Sequence, residues 1–361
     1  MKILAIESSC DETAAAVVED GTNIISNVVA TSHNMHEKYG GIVPEVAARM
    51  QLESVIPVIT EALAPLGNGP MQNVIKHHID AIAVTVGPGL IGSLLVGVET
   101  AKTIALVTQK PITPVNHVLA HMYANFVTTS EQNSSRAKSG GTMQFPAVSL
   151  VVSGGHTELY LMESPEKLQW LGGTLDDAAG ECFDKTARLL GFGNGGGLAI
   201  QEAANTFSGG SSPFTDVLPR PMLGKENEHN FSFSGLKTAI LREVNKLKEQ
   251  NGLNELAIRE LSFEVQETIT DVLVKKTLRA AEKFSAASIL LSGGVSANLR
   301  LREKFADRLN ILDRPPSLHV PPVKLCTDNA VYIGSYAHFR GMPEDWRTIN
   351  AFPNLSVEVS S

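Results

Sequence analysis

Cysteine is scarce in this chain of 361 residues: Cys10, Cys182 and Cys326 are the whole complement, odd in number and without a CxxC pair. That pattern offers neither a disulfide framework nor a zinc ribbon, and it fits a reducing compartment. Aromatic residues make up only 6%, yet hydrophobic residues reach 43%, enough for sizeable cores. Wholesale disorder and collagen-like repetition are thereby excluded. Positive charge is short as well, with 30 Lys and Arg against 38 Asp and Glu and a net charge of −8. This argues against coating nucleic acid or an anionic membrane through the overall field, and leaves room for a local basic face around Lys38, Arg49 and Lys237. The N-terminus, MKILAIESSCDET, lacks the apolar stretch of a signal peptide and the arginines of a transit peptide, so a cytoplasmic location is expected. Ala81 to Val98 is free of charge for about the length of a membrane span, but Gly87-Pro88-Gly89 divides it into a strand, a turn and an apolar helix over about 90–107.

At ~100–200 residues per domain the length predicts two domains. The opening reads as a meander of strands over 2–7, 13–18 and 24–29, the second closed by Asp20-Gly21. Pro44 stands at a first helical position, predicting a helix over about 45–64 with a kink or break at Pro57. A strand over 79–86 and the 90–107 helix complete a first α/β lobe. A helix over 116–127 and the polar stretch 128–142, read as a surface insertion, open a second block. The hairpin pattern then returns over 147–152 and 156–162, about 145 residues on, which reads as a duplicated unit. Helices are expected over about 175–190, 236–248, 253–284, 297–309 and 328–340, with a strand over 288–291. Two such lobes imply a cleft where their polar and glycine turns converge, a geometry that suits a nucleotide.

Several motifs carry both a chemical and a purely structural reading. Glu7-Ser8-Ser9-Cys10-Asp11-Glu12-Thr13 packs carboxylates and hydroxyls between apolar strands, as a reactive turn or as an ordinary solvated hairpin loop. Val151-Val152-Ser153-Gly154-Gly155 offers backbone N–H groups unobstructed by Cβ atoms, suited to phosphate or carboxylate, or simply a hairpin turn. Leu291-Ser292-Gly293-Gly294-Val295-Ser296-Ala297-Asn298 is either an anion-binding helix start or tight packing with Ser296 as N-cap. His117 and His121 stand at i and i+4, the spacing that lets two imidazoles reach one metal. A third ligand must come from elsewhere, and Asp328 is a candidate because two histidines and one carboxylate leave open positions, as in Fe(II) or catalytic Zn(II) sites. The alternative makes Thr327 or Asp328 the N-cap of the last helix. No HExxH and no nucleophile triad accompany them, against a protease. Asp184 is a candidate ribose contact or the i,i+4 partner of Arg188, as Glu181 is of Lys185. Gly193-Asn194-Gly195-Gly196-Gly197 reads as a flexible loop, and Phe231 to Lys237 as a hydrophobic plug with Ser234 capping the next helix.

Taken in order, ESSCDET, YGGIVPEVAAR, VGPGLIGSLLVG, NHVLAH, LVVSGGHT, DDAAGECFDKTARLLG, FSFSGLK, LSGGVSAN and CTDNA resemble the tRNA N6-adenosine threonylcarbamoyltransferases, the TsaD family, in blocks from residue 3 to about 335. The resemblance implies an α/β fold of the actin/Hsp70/sugar-kinase (ASKHA) superfamily, two ribonuclease-H-like lobes around a central nucleotide cleft. The lobes would be 1–112, completed by a C-terminal helix within 328–345, and 113–327 with the insertion at 128–142. It implies transfer of threonylcarbamoyl from threonylcarbamoyl-AMP, made by a separate synthase, to N6 of adenosine 37 in tRNAs reading codons that begin with A. The implied metal ligands are His117, His121 and Asp328, for Fe(II) first and Zn(II) as the alternative. The implied substrate contacts are Val151, Val152, Ser153, Gly154, Gly155, Asp184, Gly197 and Asn298, with Asp11 and Glu12 as catalytic acids. The implied partners are tRNA, a paralogous TsaB-like subunit and a TsaE-like small ATPase, and no membrane. Leu119-Ala120 and the Gly193 to Gly197 loop depart from the family's usual residues. Two other readings stand beside this one: a small-molecule kinase or ATPase of the same fold, holding Mg²⁺ through phosphates and carboxylates, and a non-catalytic subunit of the same complex, expected to lack the histidine pair.

Overall fold

A computed structural model describes residues 1–32, 35, 41–128, 143–193, 195–209 and 212–359. Lys38, Asn194 and the 129–142 part of the expected insertion lie outside the described residues. The chain divides into two compact units, Met1–Gly141 with Pro321–Val359, and Thr142–Val320.

Five strands carry the first unit: β1 Lys2–Glu7, β2 Glu12–Glu19, β3 Asn23–Thr31, β4 Ala81–Gly87 and β5 Ile112–Asn116, in the order β3-β2-β1-β4-β5. The first three are antiparallel neighbours, while β4 pairs parallel to β1 and β5 parallel to β4. Parallel neighbours need crossovers, supplied by α1 Pro44–Leu63, α2 Met71–His78 and α3 Ile91–Thr108. Pro44 does open α1, but the helix continues through Pro57 instead of breaking there. Alternation along β1 sorts its side chains: Leu4 and Ile6 join Val55, Ile59 and Val98 in one core, whereas Ala5 lies against Gly334 of the C-terminal helix Val331–Phe339. With both faces covered, every residue of β4 is buried. The apolar run 81–98 is thus strand, turn and helix. By length and composition α3 could cross a bilayer, with a mean hydropathy of 1.4, yet half of it is buried within the protein, as in a core helix.

The expected lobe boundary at 112/113 falls inside β5, whose hydrogen bonds to β4 tie it to the first unit, so the division lies further along the chain. The expected 116–127 helix is also shorter: one α-turn, α4 His117–Ala120, passes directly into 3-10 helix His121–Asn125. Asn116 nucleates it, its Oδ1 accepting from the N–H groups of Val118 and Leu119.

The second unit repeats the same sheet. Strands β6 Ala147–Val152, β7 Thr157–Met162 and β8 Leu168–Gly173 form an antiparallel meander, and β9 Ser288–Ser292 and β10 Ser317–His319 extend it in parallel, giving β10-β9-β6-β7-β8. The duplication expected from hydrophobic pattern is therefore a duplication of topology. Helices α5 Ala179–Leu189, α6 Gly196–Asn205, α7 Ser234–Glu249, α8 Glu255–Lys283 and α9 Leu299–Asn310 surround it. Val148, Leu150 and Val152 pack with Val265, Ile269 and Phe305, each such side chain contributing about 1.5–3 kcal/mol on burial.

Three expected caps are corrected. Asn298, not Ser296, caps α9 by accepting from Leu301 N. Asp176 takes the place expected of Ser234, its carboxylate accepting from the N–H groups of Phe233 and Ser234 and from both neighbouring serine hydroxyls, which also keeps its pKa below the usual range against the opposing effect of burial. At the last helix neither Thr327 nor Asp328 caps; Asn329 Oδ1 accepts from Val331 N.

Candidate metal and ligand sites

The histidines of α4 project from one turn of helix, so their rings meet at 4.8 Å between centroids, edge to face. Asp328, in the turn before the C-terminal helix, brings its Oδ1 within 3.7 Å of His117 Nε2 and 3.4 Å of His121 Nε2. The three ligand atoms lie within 4.8 Å of one another. Donors arranged tetrahedrally about a metal at ~2.1 Å stand about 3.4 Å apart, so both carboxylate-to-imidazole separations are already near the required spacing. His121 is buried, its Nδ1 makes no hydrogen bond among the described residues, and its Nε2 faces the Asp328 carboxylate at 3.4 Å. An imidazole so little paired is costly in a packed interior and is satisfied by a cation. The residues therefore fit a metal with two nitrogen donors and one oxygen donor, a set that serves Fe(II) or Zn(II).

Electrostatics supports the same centre. Burial alone would lower the pKa of His117, but the Glu7 and Asp328 carboxylates outweigh it and push it up to about 9. Burial would raise that of Asp328, whereas the two imidazoles and the Tyr332 hydroxyl hold it well below the carboxylate range. Tyr332 is fully buried, donates to Asp328 Oδ1 at 3.3 Å and lays its ring 4.4 Å from that of His121.

The acidic turn after β1 lies in this unit and is held from three sides. Gln51 Nε2 donates to the carbonyls of Cys10 and Glu12, and Ser93 Oγ also donates to that of Cys10. Ser8 Oγ donates to Ser93 O, and a Cβ on Gly97 would strike that same hydroxyl, so only glycine lets α3 approach. Asp11 is buried and Glu12 half-buried. Burial, then the charges of Asp328 and Asp11, push the Glu12 carboxyl up to about 10. In the sequence Glu7 reads only as one carboxylate of the acidic turn, and Gln51, Thr85, Gly97 and Tyr332 were missed as supports of this region. A carboxylate ending the apolar run of β1 was the signal available for a role of Glu7.

The expected substrate residues belong to the second unit. Val151 and Val152 end β6 and are buried, while Ser153 closes a tight turn by accepting His156 N–H at its Oγ. Gly154 and Gly155 are exposed, with open space where a Cβ would stand. A Cβ on Gly180 would strike Ser153 O, and one on Gly293, at φ +84, would strike Val152 O. These two contacts bring the starts of α5 and of the β9 turn against the end of β6, so three sequence motifs meet. Asp184 is exposed on α5, and a Cβ on Gly196 would come within 2.5 Å of its Oδ1, so glycine there lets α6 approach α5, while Gly197 has open space where a Cβ would stand. Gly196 also starts α6, so the 193–197 stretch is partly helix rather than loop. Asn298 is committed to its surroundings, donating to Gln266 Oε1 besides capping α9. Lys237 and Lys185 both pair with Asp177, and Arg49 with Glu45, so neither Lys237 nor Arg49 is a lone positive charge.

A sequence profile described as "TsaD: tRNA N6-adenosine threonylcarbamoyltransferase" matches residues 23–335. Among curated proteins, the tRNA N6-adenosine threonylcarbamoyltransferase of Thermomicrobium roseum is 46% identical over 96% of this chain and 94% of its own length, and that of Syntrophomonas wolfei is 42% identical over 98% and 97%. Among solved structures, component A of the (R)-2-hydroxyglutaryl-CoA dehydratase of Acidaminococcus fermentans covers 94% of this chain with 98% of its own at a TM-score of 0.50 and 12% identity, a likeness of fold alone.

Proposed function

Since the chain belongs to the TsaD family and is a tRNA N6-adenosine threonylcarbamoyltransferase, we propose that His117, His121 and Asp328 hold the metal of its transfer reaction, and that the glycine turns of the second unit bind the adenylate donor. Convergence of two imidazoles and one carboxylate, with His121 otherwise unpaired, is the observation that carries this reading. A divalent ion bound there, Fe(II) or alternatively Zn(II), supplies Lewis acidity toward the carbamoyl carbonyl, which a weakly nucleophilic exocyclic adenine amine requires. The chain's own residues do the rest. N–H groups of the Ser153 to Gly155 turn take the phosphate of threonylcarbamoyl-AMP, and AMP leaves as that phosphate is stabilised. Asp184 receives the ribose, with Gly197 and Asn298 beside it. Asp11 accepts the proton lost by N6 or orients the acceptor, while Glu12, kept neutral by burial and its acidic neighbours, orients the acceptor. The acceptor is adenosine 37 of tRNAs reading codons that begin with A, and the enzyme works in the cytoplasm with a TsaB-like subunit and a TsaE-like ATPase. A kinase holding Mg²⁺ through phosphates and carboxylates has no use for the imidazole pair.

The test is reconstitution of the purified chain with unmodified tRNA, threonylcarbamoyl-AMP and the two partner proteins, read by mass spectrometry of digested nucleosides. Threonylcarbamoyladenosine is expected only when this chain and its metal are present. Equal product from a mixture lacking this chain rejects the activity, and undiminished product from metal-stripped protein rejects the metal.

A further inference from the structure

Glu7 has no part in the chemistry described so far, yet it is a carboxylate without solvent exposure, at the end of β1. Its Oε1 accepts from Ser9 N at 2.5 Å, and its Oε2 accepts from Thr85 Oγ1 at 2.6 Å and faces His117 Nδ1 at 3.0 Å. An ionised carboxylate only accepts, so the nitrogen facing it must carry a proton. Ser9 Oγ also stands 3.3 Å from the same nitrogen and as a donor would select the opposite tautomer. The shorter distance and the full charge favour Glu7.

We propose that Glu7 is a positioning residue for the metal. It fixes the Nδ1–H tautomer of His117 and so leaves Nε2, the nitrogen on the Asp328 side, as the ligand atom. The proposal rests on the metal reading above. Imidazole ligands whose second nitrogen donates to a carboxylate are oriented and made more basic, and loss of such a partner weakens metal binding about 10–100-fold. The two histidines are consequently unequal. Glu7 holds the His117 ring in orientation before the ion arrives, whereas His121 has no partner at Nδ1 among the described residues and its Nε2 faces Asp328 at 3.4 Å.

Glu7→Gln tests this most directly, because the amide keeps the shape but must present an N–H either to Ser9 N or to His117 Nδ1. In the second arrangement the ring proton moves to Nε2 and blocks the ligand atom. Zn²⁺ affinity, measured by chelator competition, is expected to fall about 10–100-fold in Glu7→Gln, severalfold in Thr85→Val, and within about twofold in Ser9→Ala. His117→Ala is expected to lose the site. Proton–nitrogen correlation spectra of the Zn²⁺-loaded wild type should show the His117 proton on Nδ1. Unchanged affinity in Glu7→Gln, with the site lost in His117→Ala, overturns the positioning role and leaves the metal reading standing. Unchanged affinity in His117→Ala overturns the metal reading itself. Should Glu7→Gln not fold, the wild-type spectrum decides, since a proton found on Nε2 overturns the proposal.

Discussion

The two units share one sheet topology and use it oppositely. In the first, the turn after β1 and the start of α4 gather side chains: Glu7, Asp11, Glu12, His117, His121 and, from the C-terminal return, Asp328 and Tyr332. In the second, the equivalent turn after β6 has no charged side chain, and its neighbours Gly180 and Gly293 are defined by the Cβ atoms they lack. A common hairpin is thus a neutral scaffold. One copy gathers acidic side chains and imidazoles, and the other presents exposed glycines with open space beside them. The first should be sensitive to the loss of atoms and the second to their gain.

The largest effect is expected where a ligand atom is replaced. Asp328→Asn keeps the shape of the side chain but removes its charge, and loss of Lewis-acid stabilisation worth several kcal/mol corresponds to about a thousandfold or more in rate. Single-turnover formation of threonylcarbamoyladenosine should show this loss while circular dichroism and the melting profile stay near those of the wild type. A variant retaining a tenth of the rate would mean that the carboxylate is not a ligand. The counterpart in the second unit is Gly293→Ala, which adds one atom at φ +84 against Val152 O. Backbone strain of about 1–3 kcal/mol, in a region open essentially to glycine alone, and overpacking of about 1–3 kcal/mol predict a destabilisation of about 2–6 kcal/mol in urea unfolding. A stability within 0.5 kcal/mol, roughly the scatter of neutral substitutions, would show that the β9 turn yields freely.

Sequence legibility followed the same contrast. The histidine pair and Asp328 were readable because ligand spacing and residue type are chemical signals, and the spacing survives in a helix of a single α-turn. Glu7 was readable as part of the acidic turn but its partner His117 was not, since alternation says only that a position is buried and not what it meets. The second unit's turns were visible as glycines, but the packing need of Gly196, whose Cβ would strike Asp184, depends on what lies opposite and is not legible in the sequence. Short elements such as α2, β5, β8 and β10 escaped detection because their few apolar residues carry too little periodicity. The cap assignments failed where a distant side chain, Asp176, reached a helix start more favourably than the local serine.

Buried charge gives a third way to separate the units. In the first, buried Glu7 faces His117; in the second, buried Glu264 and Lys304 are likewise paired with opposite charges, but Lys276 is fully buried and among the described residues its Nζ donates only to the carbonyls of Asn227 and Asn230 beside the Phe231 ring. Burial, aided by Arg279, brings its pKa down from 10.5 to about 8. Because the folded value is the lower one, the unfolded chain holds more protons between the two, and this group's contribution to stability rises as pH increases from about 8 to 10.5 and is flat below. Measured against Lys276→Met at each pH, the wild type should gain at most roughly 3 kcal/mol across that window. A pH-independent difference would show that the ammonium is as well solvated by the two carbonyls as by water.

The smallest stability effect, and the sharpest separation of folding from binding, is expected at Gly155. Its Cβ would meet nothing within 4 Å and its φ is not positive, so Gly155→Ala should change unfolding free energy by less than about 0.5 kcal/mol. If the turn takes the phosphate as proposed, the added methyl would crowd the approach to its N–H groups. Weakening one charge-assisted hydrogen bond by about 1.4 kcal/mol is a tenfold change in affinity. The KM for threonylcarbamoyl-AMP should therefore rise about tenfold with kcat little changed, since the methyl obstructs binding equally in the ground and transition states. A loss confined to kcat would place the turn at the reacting carbonyl instead of the phosphate. An unchanged KM would remove the turn from the ligand site and leave the second unit's open glycines with a structural role only.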